Sequence, residues 1–304
     1  MCKRRTLFDR SLALNKLGVA LFCLLLPLLV SCGGIQQNAV SPGPDPGPPG
    51  GGSGGGNGSG GGSGGGGNEA ADLDDSDLSK WKICVIGNCS GGGSPGGSHA
   101  PSSYSFTTGE TEFSCDGHSA LLTQTSANVA GNAYSNILAT YRAGSQDDMN
   151  SFTSSYCIYP TGTIDEAEFD TYQFNRKNNT EFMFGTQCVT GKSWDIWNQA
   201  THKWVSMGSA APCSLSLNSY HKLEEKLHWD PADTGNCGGQ ICMYFDSISV
   251  DGATVCAPCG SPQPSSALPQ GWSSSSGVQF QIDINAPNKT GSMYIDLADF
   301  TTSQ

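Results

Sequence analysis

The chain has 304 residues, with 15 Lys and Arg against 27 Asp and Glu, a net charge of −12, 41 glycines and 13 cysteines. Phosphate contacts need basic side chains, so this balance argues against nucleic acid as a partner, and like-charge repulsion argues equally against an anionic membrane surface. Cations and neutral polysaccharides remain compatible.

Lys3, Arg4, Arg5, Arg10 and Lys16 lead into an apolar run from Leu17 to Val30, broken by Gly18 and Pro27. A basic region followed by a short hydrophobic one is the layout of a secretory signal peptide. The run is shorter than the ~20 residues a spanning helix needs, so residues 1–31 read as a cleaved signal. Leu29-Val30-Ser31-Cys32 resembles the lipobox of bacterial lipoproteins. That resemblance implies a diacylglycerol on the thiol of Cys32, cleavage in front of it, and a further acyl chain such as palmitate on the freed amine. Each buried CH₂ contributes roughly 0.8 kcal/mol, so two or three chains anchor firmly in a lipid bilayer where one is marginal. Gly33 stands where Asp would mark inner-membrane retention, so the resemblance implies a bacterial cell envelope location in the outer membrane.

Residues 32–79 hold a Pro-rich piece, a Gly/Ser run from Gly50 to Gly67 and an acidic patch from Asp72 to Asp77. None of these can bury a core, so the segment is expected to be a disordered linker. As a flexible coil it reaches roughly 35 Å r.m.s.. Without residues 1–31, ten Lys and Arg face twenty-six Asp and Glu, a net of −16.

Ten cysteines follow the linker: Cys84, Cys89, Cys115, Cys157, Cys188, Cys213, Cys237, Cys242, Cys256 and Cys259. An even number in an exported chain points to as many as five disulfides, with several connectivities open. Local pairing joins Cys84 to Cys89, Cys188 to Cys213, Cys237 to Cys242 and Cys256 to Cys259, leaving Cys115 for Cys157. Zinc held by Cys237, Cys242, Cys256 and Cys259 is the competing arrangement, disfavoured in an oxidising compartment. Cys256-Ala257-Pro258-Cys259 has the spacing of a redox motif, but Pro262 and Pro264 would interrupt the helix such a motif needs.

From residue 80 to 304 the punctuation is that of one all-β domain. Strands are predicted over Ala167–Phe174, Glu181–Gln187, Trp194–Trp197, Trp204–Met207, Lys222–Trp229, Met243–Val250, Gly277–Ile284 and Ser292–Phe300. Leu217–Leu227 is the best helical stretch, and it also reads as a loop and a strand. Val278, Phe280, Ile282 and Ile284 alternate with Gln279, Gln281 and Asp283, which predicts one buried and one wet face. Short strands with turn signals such as Asp251-Gly252 argue a two-sheet antiparallel sandwich.

Ala167-Glu168-Phe169-Asp170-Thr171-Tyr172-Gln173-Phe174, Phe184-Gly185-Thr186-Gln187-Cys188, Trp194-Asp195-Ile196-Trp197 and Met293-Tyr294-Ile295-Asp296-Leu297 together resemble the concanavalin A-like jelly rolls of lectins and laminarinase-type glycosidases, over roughly residues 110–300. The resemblance implies a jelly-roll fold and a polysaccharide or glycoconjugate partner. Laminarinase-type enzymes carry Glu-x-Asp-x-(x)-Glu, with a nucleophile first and a proton donor last. Glu168 and Asp170 match the first two positions, and the third falls on Tyr172 or Gln173. Starting instead at Glu166 keeps three acids, Glu166, Glu168 and Asp170. In an extended strand these three share one face, successive ones about 7 Å apart.

Trp194, Trp197 and Trp204 flank an apparent turn at residues 198–203, and Trp272 sits in a Gly/Ser-rich stretch. Indole rings stack on sugar faces, but they also fill cores. Gln173, Trp194, Trp197 and Trp272 are therefore the candidate binding residues beside Glu166, Glu168 and Asp170. The Gly-x-Ser-x-Gly matches at residues 51–55 and 92–96 lack the strand-to-helix context of a nucleophile elbow. The five histidines show no ligand spacing. Calcium, common in this fold family, could use Asp246, Asp251 or Asp283, although no loop carries a calcium pattern. The three functions open at this point are a glycan-binding module, a retaining glycosidase using Glu168 or Glu166, and a structural envelope component.

Overall fold

A computed structural model describes residues 81–84, 101–127, 135–144 and 147–304. The signal peptide, Cys32, the linker and Cys89 lie outside the described residues. Among the described residues sixteen strands run in chain order: β1 (Trp81–Cys84), β2 (Ser103–Glu110), β3 (Ser119–Thr125), β4 (Ser135–Gly144), β5 (Ser151–Gly162), β6 (Glu166–Asn175), β7 (Thr180–Val189) and β8 (Trp194–Asn198) form the first half. The second half holds β9 (Lys203–Ser206), β10 (His221–Asp230), β11 (Cys242–Val250), β12 (Ala253–Cys256), β13 (Gln263–Pro264), β14 (Ser266–Ala267), β15 (Ser275–Ile284) and β16 (Thr290–Ser303).

All pairings are antiparallel, in two sheets. Sheet A has the order β1-β4-β15-β6-β7-β8-β9 with β14 added beside β7, and sheet B has β12-β11-β10-β5-β16-β3-β2 with β13 added beside β11. Successive strands change sheet at β1–β2, β3–β4, β4–β5, β5–β6, β9–β10, β13–β14 and β15–β16, the winding of a jelly roll. Alternation dictates what lies between the sheets. Ala167, Phe169, Phe182, Phe184, Val278, Phe280 and Ile282 from sheet A meet Phe152, Tyr156, Leu223, Leu227, Trp229 and Phe245 from sheet B in one apolar core. Ring pairs cross the gap. Phe182 stacks on Trp229 with centroids 4.5 Å apart, and Tyr156 meets Phe280 edge-on at 5.2 Å. Such pairs add to the area term that dominates core stability.

Each predicted strand is present with its ends within two residues, except the last, which runs three residues further to Ser303. The stretch 217–227 is a turn followed by β10, not a helix, because Leu223 and Leu227 alternate with exposed Lys222 and Lys226. The Asp251-Gly252 turn joins β11 to β12 with φ of 53° and 77°, the left-handed pair that a tight hairpin turn requires. Four of the expected disulfides are formed, Cys115–Cys157, Cys188–Cys213, Cys237–Cys242 and Cys256–Cys259, with Cα separations of 5.8, 5.3, 5.5 and 5.0 Å. The four-cysteine zinc arrangement is thereby excluded, since its thiols are consumed in two bonds.

One expectation about burial fails. Gln279, Gln281 and Asp283 were expected to face water, yet all are buried. Their strand lies in the interior of sheet A between β4 and β6, where Gln281 Nε2 donates to Glu168 and to Asp283 and Gln279 Nε2 lies 3.4 Å from Met183 Sδ.

Candidate functional site

The outer face of sheet A gathers the acids. Glu166, Glu168 and Asp170 project from β6 on the face opposite Phe169, as strand alternation requires. The register sets Glu168 between Gln187 of β7 and Gln281 of β15. Gln281 Nε2 donates to Glu168 Oε1 at 2.6 Å and to Asp283 Oδ1 at 3.0 Å, while Gln187 Nε2 donates to Glu166 Oε2 at 2.8 Å and to Glu168 Oε1 at 3.3 Å. Two amides thus tie three carboxyls, Glu166, Glu168 and Asp283, into one row. Glu166 is held above the usual carboxylate range, first by burial and then by the charge of Asp165.

Asp170 is the outlier of this row. Burial pushes its carboxyl up to about 8, with the backbone N–H of Thr186 pulling the other way. Its Oδ1 has no hydrogen-bond partner among the described residues. It lies over Gly185, the residue opposite it on β7. A Cβ at position 185 would sit 2.8 Å from Trp197 Cβ, 3.1 Å from Asp170 Oδ1 and 3.2 Å from Trp204 Cη2. Glycine is therefore the residue that lets the acid and the two indoles close over the strand. Gly185→Ala is expected to cost about 1–3 kcal/mol through overpacking, read as a lower urea midpoint at unchanged m-value.

Aromatic rings continue the same face. Tyr172, Phe174, Met183, Trp197 and Leu268 form a second, smaller apolar cluster, with Trp204 and Trp272 half-buried against it. Trp204 meets Trp197 edge-on at 5.1 Å, and Trp272 meets Phe174 in the same way at 4.8 Å.

The structure sorts the candidate residues into two sets. Glu166, Glu168, Asp170, Trp197 and Trp272 share the outer face of sheet A. Gln173 and Trp194 do not join them. Gln173 points between the sheets, where Oε1 accepts from Trp229 Nε1 at 2.8 Å and Nε2 donates to Met149 O at 3.0 Å. Trp194 is 0% exposed within the main core. Trp197 faces the right way but is only 1% exposed, its Nε1 bonded to Gln199 Oε1, so the accessible indoles of this face are Trp204 and Trp272. The hairpin β8–β9 pairs Trp197 with Trp204, as the turn between them implied. Gln187, Gln281 and Gly185 are the participants missed by sequence reasoning; the cross-strand register that brings them to Glu168 and Asp170 is absent from the local pattern.

The aspartates considered for calcium do not converge. Asp246 pairs with His228 Nδ1 at 2.7 Å, Asp251 pairs with His221 Nδ1 at 2.8 Å, and Asp283 belongs to the row on sheet A.

No protein-family model matches the chain, and no curated protein matches it. Solved structures do. The endo-1,3-beta-glucanase from Streptomyces sioyaensis aligns with TM-score 0.40 and 12% identity over 81% of this chain and 100% of that one. Alginate lyase vAL-1 from Chlorella virus aligns with TM-score 0.41 and 11% identity over 78% of this chain and 100% of that one. The carbohydrate recognition domain of Emp47p aligns with TM-score 0.37 and 11% identity over 78% of this chain and 94% of that one.

Proposed function

We propose that the outer face of sheet A is a carbohydrate-binding surface, presented from the bacterial envelope by a lipid on Cys32 and a tether of roughly 35 Å. The observation that carries this reading is the continuity of the acid–amide row with the half-buried Trp204 and Trp272. Glu168, Asp170, Gln187 and Gln281 are buried, so the groups offered to a sugar are the half-buried Glu166, Trp204 and Trp272, a carboxylate for hydroxyls and indole edges and faces for the apolar side of the ring. The excess of acidic residues favours a neutral glycan.

A second reading, glycoside hydrolysis, draws support from Asp170. Hydrolysis needs one carboxylic acid that keeps its proton near neutral pH and a second carboxylate close by. The carboxyl of Asp170, pushed up to about 8, meets the first need, and Glu168, on the same face two residues earlier, is positioned for the second. On this reading the donor is Asp170, the last acid of the Glu166, Glu168 and Asp170 register.

Affinity electrophoresis of the mature chain through gels containing neutral β-glucan separates these readings, run beside a reducing-end assay. Retarded migration that is lost in Trp272→Ala, with no sugar released, is the expected result. Sugar release abolished by both Glu168→Gln and Asp170→Asn would establish the hydrolase instead. Absence of retention and of release on neutral and acidic polysaccharides alike would overturn both and leave a structural envelope role. Anchoring is checked separately: labelled palmitate should enter the wild-type chain in the outer-membrane fraction and be absent from Cys32→Ser.

A further inference from the structure

A second cluster of reactive groups lies on the other sheet, and the proposed glycan surface makes no use of it. The loop 111–118 between β2 and β3 folds over the outer face of sheet B. Phe113 stacks on Tyr159 of β5 with centroids 3.7 Å apart, and Cys115 is bonded to Cys157 of the same strand. Beneath the loop, Asp296 of β16 stands directly opposite Cys157 in the strand register. It is 0% exposed, accepts the backbone N–H of Cys115 on Oδ2, and has no partner for Oδ1 among the described residues. A carboxyl oxygen of Asp296 and both sulfurs lie within 4.8 Å of one another.

A buried carboxyl with an unsatisfied oxygen is costly unless that oxygen has a task. Three further observations say what the task is. Cys115 is exposed, whereas the cysteines of the other three described disulfides are buried or half-buried. A cavity of about 340 Å³ opens at the bond, lined by Cys115, Cys157, Ser155, Lys222 and Glu224. The Tyr220 hydroxyl lies 2.8 Å from Cys115 Sγ. An accessible sulfur, a buried leaving sulfur, room for a small molecule and a proton carrier are the components of thiol exchange.

We propose that Cys115–Cys157 is a site of thiol–disulfide exchange, at which a small external thiol attacks Cys115 while Asp296 carries the proton from the incoming thiol to the departing Cys157. The Asp296 carboxylate takes the proton of the incoming thiol. Its sulfur then bonds to Cys115 Sγ as the Cys115–Cys157 bond breaks, and Cys157 leaves with the electron pair and receives the proton from Asp296. The external thiol ends oxidised in a mixed disulfide, Cys157 ends as a reduced thiol, and the carboxylate is regenerated. Burial pushes the Asp296 carboxyl up to about 6, against the pull of the Cys115 N–H, with Asp116 raising it and His118 lowering it. A carboxyl in that range both accepts and returns a proton near neutral pH. Tyr220 faces the same pair, and the Lys222 ammonium at the cavity wall attracts a thiol that also carries a carboxylate. Opening the bond frees the loop that holds Phe113 over Tyr159.

The test uses the oxidised mature chain and graded reduced glutathione, followed by alkylation and peptide mapping by mass spectrometry. Cys157 should be alkylated first, with glutathione on Cys115, at concentrations that leave the other three described pairs intact. Asp296→Asn should slow adduct formation at least about tenfold at pH 6.5, with most of the rate recovered at pH 9, where the thiol ionises unaided. Recovery at high pH separates proton transfer from a packing defect, which no pH would repair. Adduct on Cys157, reaction no faster than at the other pairs, or an Asp296→Asn rate equal to wild type at pH 6.5 would each overturn the proposal. If Asp296→Asn does not fold, the order of reduction and the position of the adduct in the wild-type chain decide it alone.

Discussion

Raising the pH from 5 to 9 is expected to destabilise the folded domain markedly, and Glu225→Gln is expected to remove much of that loss. Glu225 points from β10 into the space between the sheets, where it is 0% exposed. The Thr186 hydroxyl lies 2.6 Å from Phe169 O and 2.5 Å from Glu225 Oε1. A hydroxyl has one proton and a peptide carbonyl only accepts. The single proton of Thr186 is shared between Phe169 O and Glu225 Oε1, and Glu225 Oε2 has no partner among the described residues, so an ionised Glu225 is left under-satisfied and a proton on the carboxyl relieves the shortfall. The same conclusion follows from burial, which pushes Glu225 from 4.5 up to about 8, against the pull of Thr186 and with the charge of Asp170 adding to it.

The sign follows from proton counting. The folded state holds a proton that the unfolded state gives up near 4.5, so the stabilisation is complete below that pH and is lost as the pH rises through 8. Between those limits the folded state binds the extra proton, so stability falls as the pH rises. Asp170, pushed from 3.8 to about 8, acts in the same direction. Urea midpoints of wild type should fall steadily from pH 5 to 8. Those of Glu225→Gln, whose amide can still donate to Thr186, should fall with a visibly shallower slope, and Asp170→Asn added to it should flatten the curve further. A wild-type midpoint that is level over this range would show that neither carboxyl holds its proton in the fold.

The second large effect is the loss of Trp194. Trp194→Ala is expected to cost about 3–5 kcal/mol, the range for a large core side chain replaced by a methyl, and to lower the melting temperature by about 10 °C. Trp194 lies in the main core near Phe169, with ring centroids 6.2 Å apart. Its neighbours there, Ile196 and Cys188, are themselves buried and bonded into sheet A, so the site cannot collapse to fill the hole. Trp272→Ala removes a half-buried ring at the edge of the second cluster and should cost far less. The two variants thus separate stability from recognition: Trp194→Ala should lower the melting temperature while the fraction still folded keeps its glycan retention, and Trp272→Ala should do the reverse. Retention lost at full stability in Trp194→Ala would place that indole at the surface.

How much of the candidate site was legible in the linear chain depends on the kind of information each residue needed. The shared face of Glu166, Glu168 and Asp170 follows from the period of an extended strand, so three positions two apart suffice to predict it. Gln187 and Gln281 come from strands 19 and 113 residues away in sequence from Glu168, and a register over such separations is settled by packing of the whole sheet. Trp194 and Trp197 show the limit clearly. Three positions apart in one strand, they must face opposite ways, yet both end up covered, because Trp204 closes over the one that faces out. Residue type and spacing show where a ring points; they do not show what covers it.

Composition, strand period, turn chemistry and cysteine spacing sufficed for an all-β antiparallel sandwich, for eight of the described strands and for three of the described disulfides, because these rest on local geometry; Cys115–Cys157, 42 residues apart, followed by elimination. The protonated Glu225, the raised carboxyl of Asp170, the retreat of Gln173 and Trp194 from the surface and the carboxyl placed at Cys115–Cys157 had no local sign. Each depends on desolvation or on contact between distant strands, and both arise when the two sheets close on one another.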